Sequence, residues 1–228
     1  MRARAKLVEI ERMVGDVESR KIILRALLDG PKSGVELRLA LARAFNKSVD
    51  EISDAMVYFN LQVLEKAGII KRWRGHEDWK VKYAEIVPEK IQQIRRFFGI
   101  KVPVMCFAGL SDPLYIRYLR KIFREHMDVA LECYKFFAPA GMRGRIVGIP
   151  EGVEVYYFDE NLTFEELYER IRGLTEKFIR EYEIMFDLSE GPRELAIIFC
   201  RLALEFDLKA FYVEKLDEES GRIIWIIE

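Results

Sequence analysis

The chain has 228 residues, half of them hydrophobic and a third charged, enough for one large domain or two of ordinary size. No apolar run approaches the ~18–20 residues of a membrane span, and the start MRARAKLVEIERM is basic and amphipathic rather than a secretion signal, so a cytoplasmic protein is expected. Cys106, Cys133 and Cys200 are odd in number and widely spaced, which argues for reduced thiols and against a disulfide frame or a zinc site. Only three Asn and three Gln stand beside 33% charged residues, a balance typical of proteins from hot environments.

The net charge of −1 hides an asymmetry. Residues 1–100 hold 20 Lys and Arg against 14 Asp and Glu, whereas residues 101–228 hold 17 against 24. A basic first part beside an acidic second part suggests that only the first approaches a polyanion.

In chain order, residues 2–18 are predicted helical, with Leu7, Ile10 and Val14 on one face, an element that either joins two copies or packs on its own domain. Ser19 is expected to cap a helix from Arg20 to Leu28 that stops at Asp29-Gly30-Pro31. Ser33, with Glu36 three residues on, has capping-box spacing for the next helix, which Asn46-Lys47-Ser48 breaks. A fourth helix is predicted from about Val49 to Lys66, its apolar stripe Val57, Leu61 and Leu64, ended by Gly68. Ile69–Trp73 and Trp79–Ile86 follow as strands around Arg74-Gly75-His76-Glu77-Asp78. Pro88 suits the first turn of a helix to Phe98, and Gly99 with Pro103 marks a boundary.

Beyond it the pattern changes to apolar strands alternating with helices. Strands are predicted at Val102–Leu110, Arg145–Ile149, Val153–Phe158, Ile184–Leu188, Lys209–Glu214 and Arg222–Ile227. Val129–Phe137 fits either strand or helix, and strand is the reading taken. Helices are predicted at Pro113–His126, Thr163–Glu181 and Arg193–Phe206, and the last two strands form an antiparallel hairpin. The alternation implies a largely parallel sheet covered on both faces.

Three helices followed by a hairpin form a winged helix-turn-helix, whose recognition helix reads base edges while phosphates set the affinity. With Val57, Leu61 and Leu64 turned inward, Asp54, Ala55, Tyr58, Phe59 and Gln62 lie on the outer side. Tyr58 and Gln62 are suited to phosphates or base edges, and Ser53 stands at the helix start where a phosphate docks. Lys71, Arg72, Arg74, Lys80 and Lys82 make the hairpin a basic wing. The competing reading is a solvated hairpin with ordinary surface charges.

The run Asn60-Leu61-Gln62-Val63-Leu64-Glu65-Lys66-Ala67-Gly68-Ile69-Ile70 resembles the HLxxLxxAGLV signature of ArsR-type winged-helix regulators, over about residues 15–87. Asn60 takes the place of the family's usual His, which makes it a candidate DNA contact by that resemblance. Several residues between Ala44 and Ser53 are extra, and residues 1–100 contain no cysteine, so the family's metal-sensing motif is missing.

In FDLSEGPREL, Phe186 to Leu195, a small polar turn joins a strand end to a helix start, where backbone N–H groups favour an anion. The turn is similar to the Thr-Gly-Gly-Thr turn of CARF domains, Rossmann-like modules that sense cyclic oligoadenylates in CRISPR-associated proteins. Ala108-Gly109-Leu110-Ser111-Asp112-Pro113 resembles the first ligand loop of that fold. The resemblance implies a ligand site of Gly109, Ser111, Asp112, Ser189, Gly191 and Arg193. Glu190 departs from it, because a carboxylate opposes phosphate, and Pro192 removes a donor. The competing reading is an ordinary connection in a domain used for dimerisation or partner binding.

His76 and His126 have no partners at metal or triad spacing, and no nucleophile or P-loop motif occurs, so neither an enzyme nor a bound metal or cofactor is expected. The chain reads as α+β overall: a winged helix-turn-helix over residues 1–87, a linker helix over 88–101, and a CARF-like, Rossmann-like doubly wound α/β domain over 102–228. The function expected is that of a homodimeric, archaeal-type transcription regulator on double-stranded promoter DNA, with a basal transcription factor and a nucleotide as further partners. The alternative is a CRISPR-associated effector or regulator controlled by cyclic oligoadenylate.

Overall fold

The computed structural model describes residues 10–75, 81–127, 131–215 and 220–228. The chain divides into two units, Met1–Ile100 and Lys101–Glu228.

In the first unit residues 10–14 are helical, and most of the helix expected over 2–18 lies outside the described residues. Helix α1 (Glu18–Leu28) buries Ile23, Leu24 and Leu27. Its N-cap is Val17, without a side-chain bond, and not Ser19. The Ser19 hydroxyl instead faces inward and accepts from Asn60 Nδ2 at 3.1 Å. Strand β1 (Lys32–Ser33) is too short to leave a periodic signal. Helix α2 (Gly34–Phe45) starts at the capping box that the spacing predicts: Ser33 N donates to Glu36 Oε2 at 2.7 Å and Glu36 N donates to Ser33 Oγ at 3.3 Å. Asn46, at φ 53°, ends it in the left-handed conformation that Asn tolerates.

The helix expected from Val49 to Lys66 is two elements. A 3₁₀ turn at Val49–Glu51 closes on Ser48, whose N–H donates to Glu51 Oε2 at 2.8 Å. Ile52 is then extended and buried, and Ser53 caps helix α3 (Asp54–Lys66) by accepting from Met56 N at 3.2 Å. Ser53 caps with its hydroxyl and Ser48 with its N–H on Glu51, so two serines five residues apart each start a helical turn. Gly68, at φ 66°, turns the chain into β2 (Ile70–Arg74), which pairs antiparallel with β3 (Lys82–Ile86) from Ile70↔Ile86 to Arg74↔Lys82. β1 adds to the other edge of β3, giving the order β1-β3-β2. Lys80, His76 and Trp79, expected at the hairpin turn, lie outside the described residues. Helix α4 (Pro88–Phe98), the helix expected as a linker, falls within this unit, with the Arg25 guanidinium 4.7 Å from the Phe98 ring centre.

The second unit is one six-stranded sheet. Its strands are β4 (Val104–Gly109), β5 (Leu131–Pro139), β6 (Val153–Phe158), β7 (Glu183–Asp187), β8 (Lys209–Lys215) and β9 (Gly221–Ile227). The order is β6-β5-β4-β7-β8-β9, parallel throughout except for β9, which is antiparallel to β8. Arg145–Ile149 is not a strand but part of the connection from β5 to β6, where Gly144 and Gly148 adopt positive φ. Alternate residues of β4 serve two cores. Val104, Cys106 and Ala108 pack with Tyr115, Leu119 and Phe123 of helix α5 (Tyr115–His126). Phe107 faces the opposite side, edge-on to Phe178 of helix α6 (Phe164–Phe178) and to Phe186, which stacks on Phe199 of helix α7 (Arg193–Phe206). A strand buried on both faces needs apolar residues at every position, which is why β4 reads as an unbroken apolar run. Helices thus cover both faces of a Rossmann-like, parallel-rich sheet.

Candidate functional site

In the first unit, α3 turns Val57, Asn60, Leu61 and Leu64 inward. Asn60 is 3% exposed, and its amide donates to the Met56 carbonyl at 2.8 Å while its oxygen accepts from Arg20 Nε at 3.2 Å. It is a core polar residue joining α3 to α1, so its expected role as a direct DNA contact is corrected. Ala55, Tyr58, Phe59 and Gln62 are exposed on the outer side of α3, and Ser53 is exposed at its start. Asp54 receives Arg38 Nη1 at 3.2 Å, which offsets its charge.

The wing cations are less free than their number suggests. Lys71 pairs with Glu85 at 3.0 Å, and Arg72 Nε donates to Glu65 Oε2 at 2.9 Å. That hydrogen bond holds the Glu65 carboxyl below the usual carboxylate range. Glu65, Arg72, Trp73, Arg74 and Lys82 line a groove of about 240 Å³. Three cations and one carboxylate leave it net positive, and the Trp73 ring stacks 6.0 Å from Tyr83.

In the second unit, the candidate ligand residues gather at the carboxyl ends of β4 and β7. There the chain's windings part: β4 leads to β5 on one side and β7 to β8 on the other. Such a switch point is where open α/β sheets bind ligands. Gly109 and Gly191 meet backbone to backbone. A Cβ on Gly109 would collide with the Glu190 carbonyl, and one on Gly191 would stand 2.9 Å from Gly109 Cα. Gly191 also holds φ 92°, so glycine is required there twice over.

The polar groups around these glycines are already engaged. Ser111 Oγ donates to Glu190 Oε2, and Lys215 Nζ donates to Glu190 Oε1 at 3.0 Å. The Lys215 ammonium lies 5.3 Å from the Tyr115 ring centre and 5.4 Å from that of Tyr118. Ser189 Oγ donates to Asp187 and accepts from Val213 N at 2.7 Å, so it fastens β7 to β8. Asp112 Oδ1 accepts from Leu114 N at 2.9 Å in a turn leading to α5, while Arg193 is exposed at the start of α7. Beneath them Asp187 is fully buried, and desolvation raises its carboxyl to about 6 despite the bonds from Ser189 and Tyr115.

No protein-family profile matches the chain, and no curated protein matches it. Csm6 from Enterococcus italicus, bound to cyclic hexa-2'-fluoro-hexa-dAMP, is similar to 56% of this chain and 43% of its own, at 11% identity and a TM-score of 0.42. Can2 from Sulfobacillus thermosulfidooxidans, in complex with cyclic tetra-adenylate, is similar over 54% of this chain and 34% of its own, at 12% identity and a TM-score of 0.41. Protein VC1899 from Vibrio cholerae is similar over 54% and 33%, at 15% identity and a TM-score of 0.41. This chain spans less than half the length of each.

Sequence reasoning brings the two loops together through their glycines and serines but misses three groups that the fold places beside them. Lys215 reaches the site from the end of β8, and Tyr115 from the first turn of α5. Asp187 ends β7 within Phe186-Asp187-Leu188, and a charged residue closing an apolar strand is the signal that singles it out. Among the described residues no group of three or more His, Cys, Asp or Glu is arranged to hold a metal, and no helix is long and apolar enough to cross a membrane.

Proposed function

We propose that this chain is a nucleotide-responsive regulator. In this reading the α/β unit receives a nucleotide of the cyclic oligoadenylate class, and the first unit, a winged helix-turn-helix, binds duplex DNA as output. The observation that carries it is the switch point itself, where Gly109 and Gly191 bring two loop backbones into contact beneath Ser111, Glu190 and Lys215. The CARF-like sequence of the same two loops supports the ligand class. The order α1, β1, α2, α3, β2, β3, with the sheet order β1-β3-β2, supports the winged-helix reading. No catalytic step is assigned. Titration calorimetry with cyclic tetra- and hexa-adenylate, the rings named with Can2 and in fluorinated deoxy form with Csm6, tests the first part. Micromolar binding that alters a gel shift is the expected result, and absence of heat with both rings removes the nucleotide reading.

A second reading is a constitutive DNA-binding regulator whose α/β unit joins two copies, with contact to a basal transcription factor deciding activation. The groove lined by Arg72, Arg74 and Lys82 beside the exposed stripe of α3 favours it. DNA affinity that falls steeply with salt and ignores every nucleotide is its signature.

A further inference from the structure

The outward stripe of α3 has a chemistry that discriminates among base pairs, and this inference rests on the DNA reading of the first unit. Its residues are Ala55, Tyr58, Phe59, Gln62 and Lys66, all exposed and spaced as one helix face. Phe59 is 60% exposed and Tyr58 45%, an unusual cost for two aromatic rings on a polar face. Tyr58 leans toward α2, where a Cβ on Gly34 would stand 3.3 Å from its hydroxyl, so Phe59 and Gln62 project most freely.

The major groove offers guanine O6 and N7 as acceptors, and Arg or Lys reads them. No Arg occurs on this stripe, and its one Lys, Lys66, is the last residue of α3, a turn beyond Gln62 and farthest from the N-terminal end that helix-turn-helix proteins direct at bases. The remaining groups fit the other base pair. Gln pairs in bidentate fashion with adenine N6 and N7, and apolar surfaces such as Ala and Phe cover the thymine methyl. Asp54, the residue suited to a cytosine amino group, already receives Arg38. We infer that α3 reads A·T pairs, with Gln62 on adenine and with Phe59 and Ala55 against thymine methyls. Duplex DNA is favoured over a protein partner because Ala55, Tyr58, Phe59, Gln62 and Lys66 include no carboxylate and the neighbouring groove is cationic.

The test uses the full chain and a random duplex pool at low salt, followed by affinities for the selected duplex carrying base analogues. The expected core is A·T-rich. Replacing its thymines by uracil, which lacks the methyl group, weakens binding about ten-fold, as does 7-deazaadenine, which lacks the N7 acceptor. Phe59→Ala removes the response to uracil and Gln62→Ala the response to 7-deazaadenine, each with unchanged circular dichroism. Tight binding to G·C-rich cores, or indifference to both analogues, overturns the inference and leaves DNA binding standing. No duplex binding at low salt overturns both. In that case, loss of self-association in sedimentation of Phe59→Ala identifies the stripe as a protein contact.

Discussion

The Tyr115 hydroxyl donates to Oδ2 of Asp187 at 2.7 Å in the interior of the α/β unit, tying the first turn of α5 to the last residue of β7. Burial and the neighbouring Asp187 raise the Tyr115 hydroxyl far above its ordinary range, so it remains a donor. Ser189 donates to the other Asp187 oxygen from both its N–H and its hydroxyl. The acid is therefore bonded from three directions yet still harder to ionise than in water.

That elevation gives a pH dependence of definite sign. With its carboxyl raised to about 6 from 3.8, Asp187 takes up a proton more readily in the folded than in the unfolded chain. Its contribution is fully present below about pH 4 and is lost as pH rises through about 6, by roughly 3 kcal/mol. Thermal melts of the protein and of Asp187→Asn at pH 4, 5, 6 and 7 measure this. Relative to the native chain, the variant gains stability across that interval. A difference between the two that does not change with pH contradicts the assignment.

At the switch point, Gly191→Ala is expected to cost about 2 kcal/mol or more. It adds a methyl group 2.9 Å from Gly109 Cα at a φ of 92°. Urea unfolding followed by tryptophan fluorescence reports it, through Trp225 on β9. Gly144→Ala is the control, with positive φ but open space around it, and a loss there as large as at Gly191 would assign the effect to backbone strain alone.

Asn60 yields a test that separates core from interface. Asn60→Ala leaves Ser19 and Arg20 without the amide that links α1 to α3, at a cost of about 1–3 kcal/mol. DNA affinity measured well below the melting temperature should stay within two-fold (roughly 0.4 kcal/mol) of the native chain. A ten-fold loss of affinity in a fully folded variant would restore Asn60 to the proposed DNA surface.

Asn60 also illustrates what the sequence can and cannot convey. Its place in the signature marks the helix that carries it, and the inward set Val57, Leu61 and Leu64 follows from periodicity alone. Which side of that boundary a polar residue takes depends on Ser19 and Arg20, some 40 residues away, and no local pattern encodes such a partner. The α/β unit reads more plainly, because strands buried on both faces and capped helices such as that opened by Thr163 and Glu166 leave continuous local signals. The connection 140–152 does not, because Arg145–Ile149 has strand-like residues but lies in a segment where glycines turn the chain. Lys215 shares the switch-point site only through the parallel pairing of β7 with β8, a long-range contact.

Under the proposed DNA reading, Glu65 in the cationic groove would oppose phosphate while it holds Arg72. Glu65→Gln removes one negative charge and frees the guanidinium. DNA affinity should rise several-fold, and the dependence of log K on log salt should steepen by about one phosphate contact. Binding isotherms at four salt concentrations measure both. Unchanged affinity with an unchanged slope would mean that Arg72 serves only to brace β2 against α3.

Glu190 bears on the nucleotide reading in the same manner. Its carboxylate lies between Ser111 and Lys215, the donors an incoming phosphate needs, so the native loop fills its own anion position. A phosphate must displace that carboxylate or sit beside it, and either costs affinity through like charge. In Glu190→Gln the amide retains a bond to Ser111, the ammonium of Lys215 loses its counter-charge, and repulsion disappears. Calorimetry with cyclic tetra-adenylate is expected to give about ten-fold tighter binding to this variant, and Lys215→Ala added to it should reverse the gain. Lys215 is half exposed and its removal leaves no buried charge, so the double variant should remain folded. If both variants bind as the native chain does, the ligand avoids this end of the sheet. If Glu190→Gln binds more weakly, the carboxylate is itself a ligand contact, accepting from a ribose hydroxyl or an adenine amino group rather than excluding a phosphate.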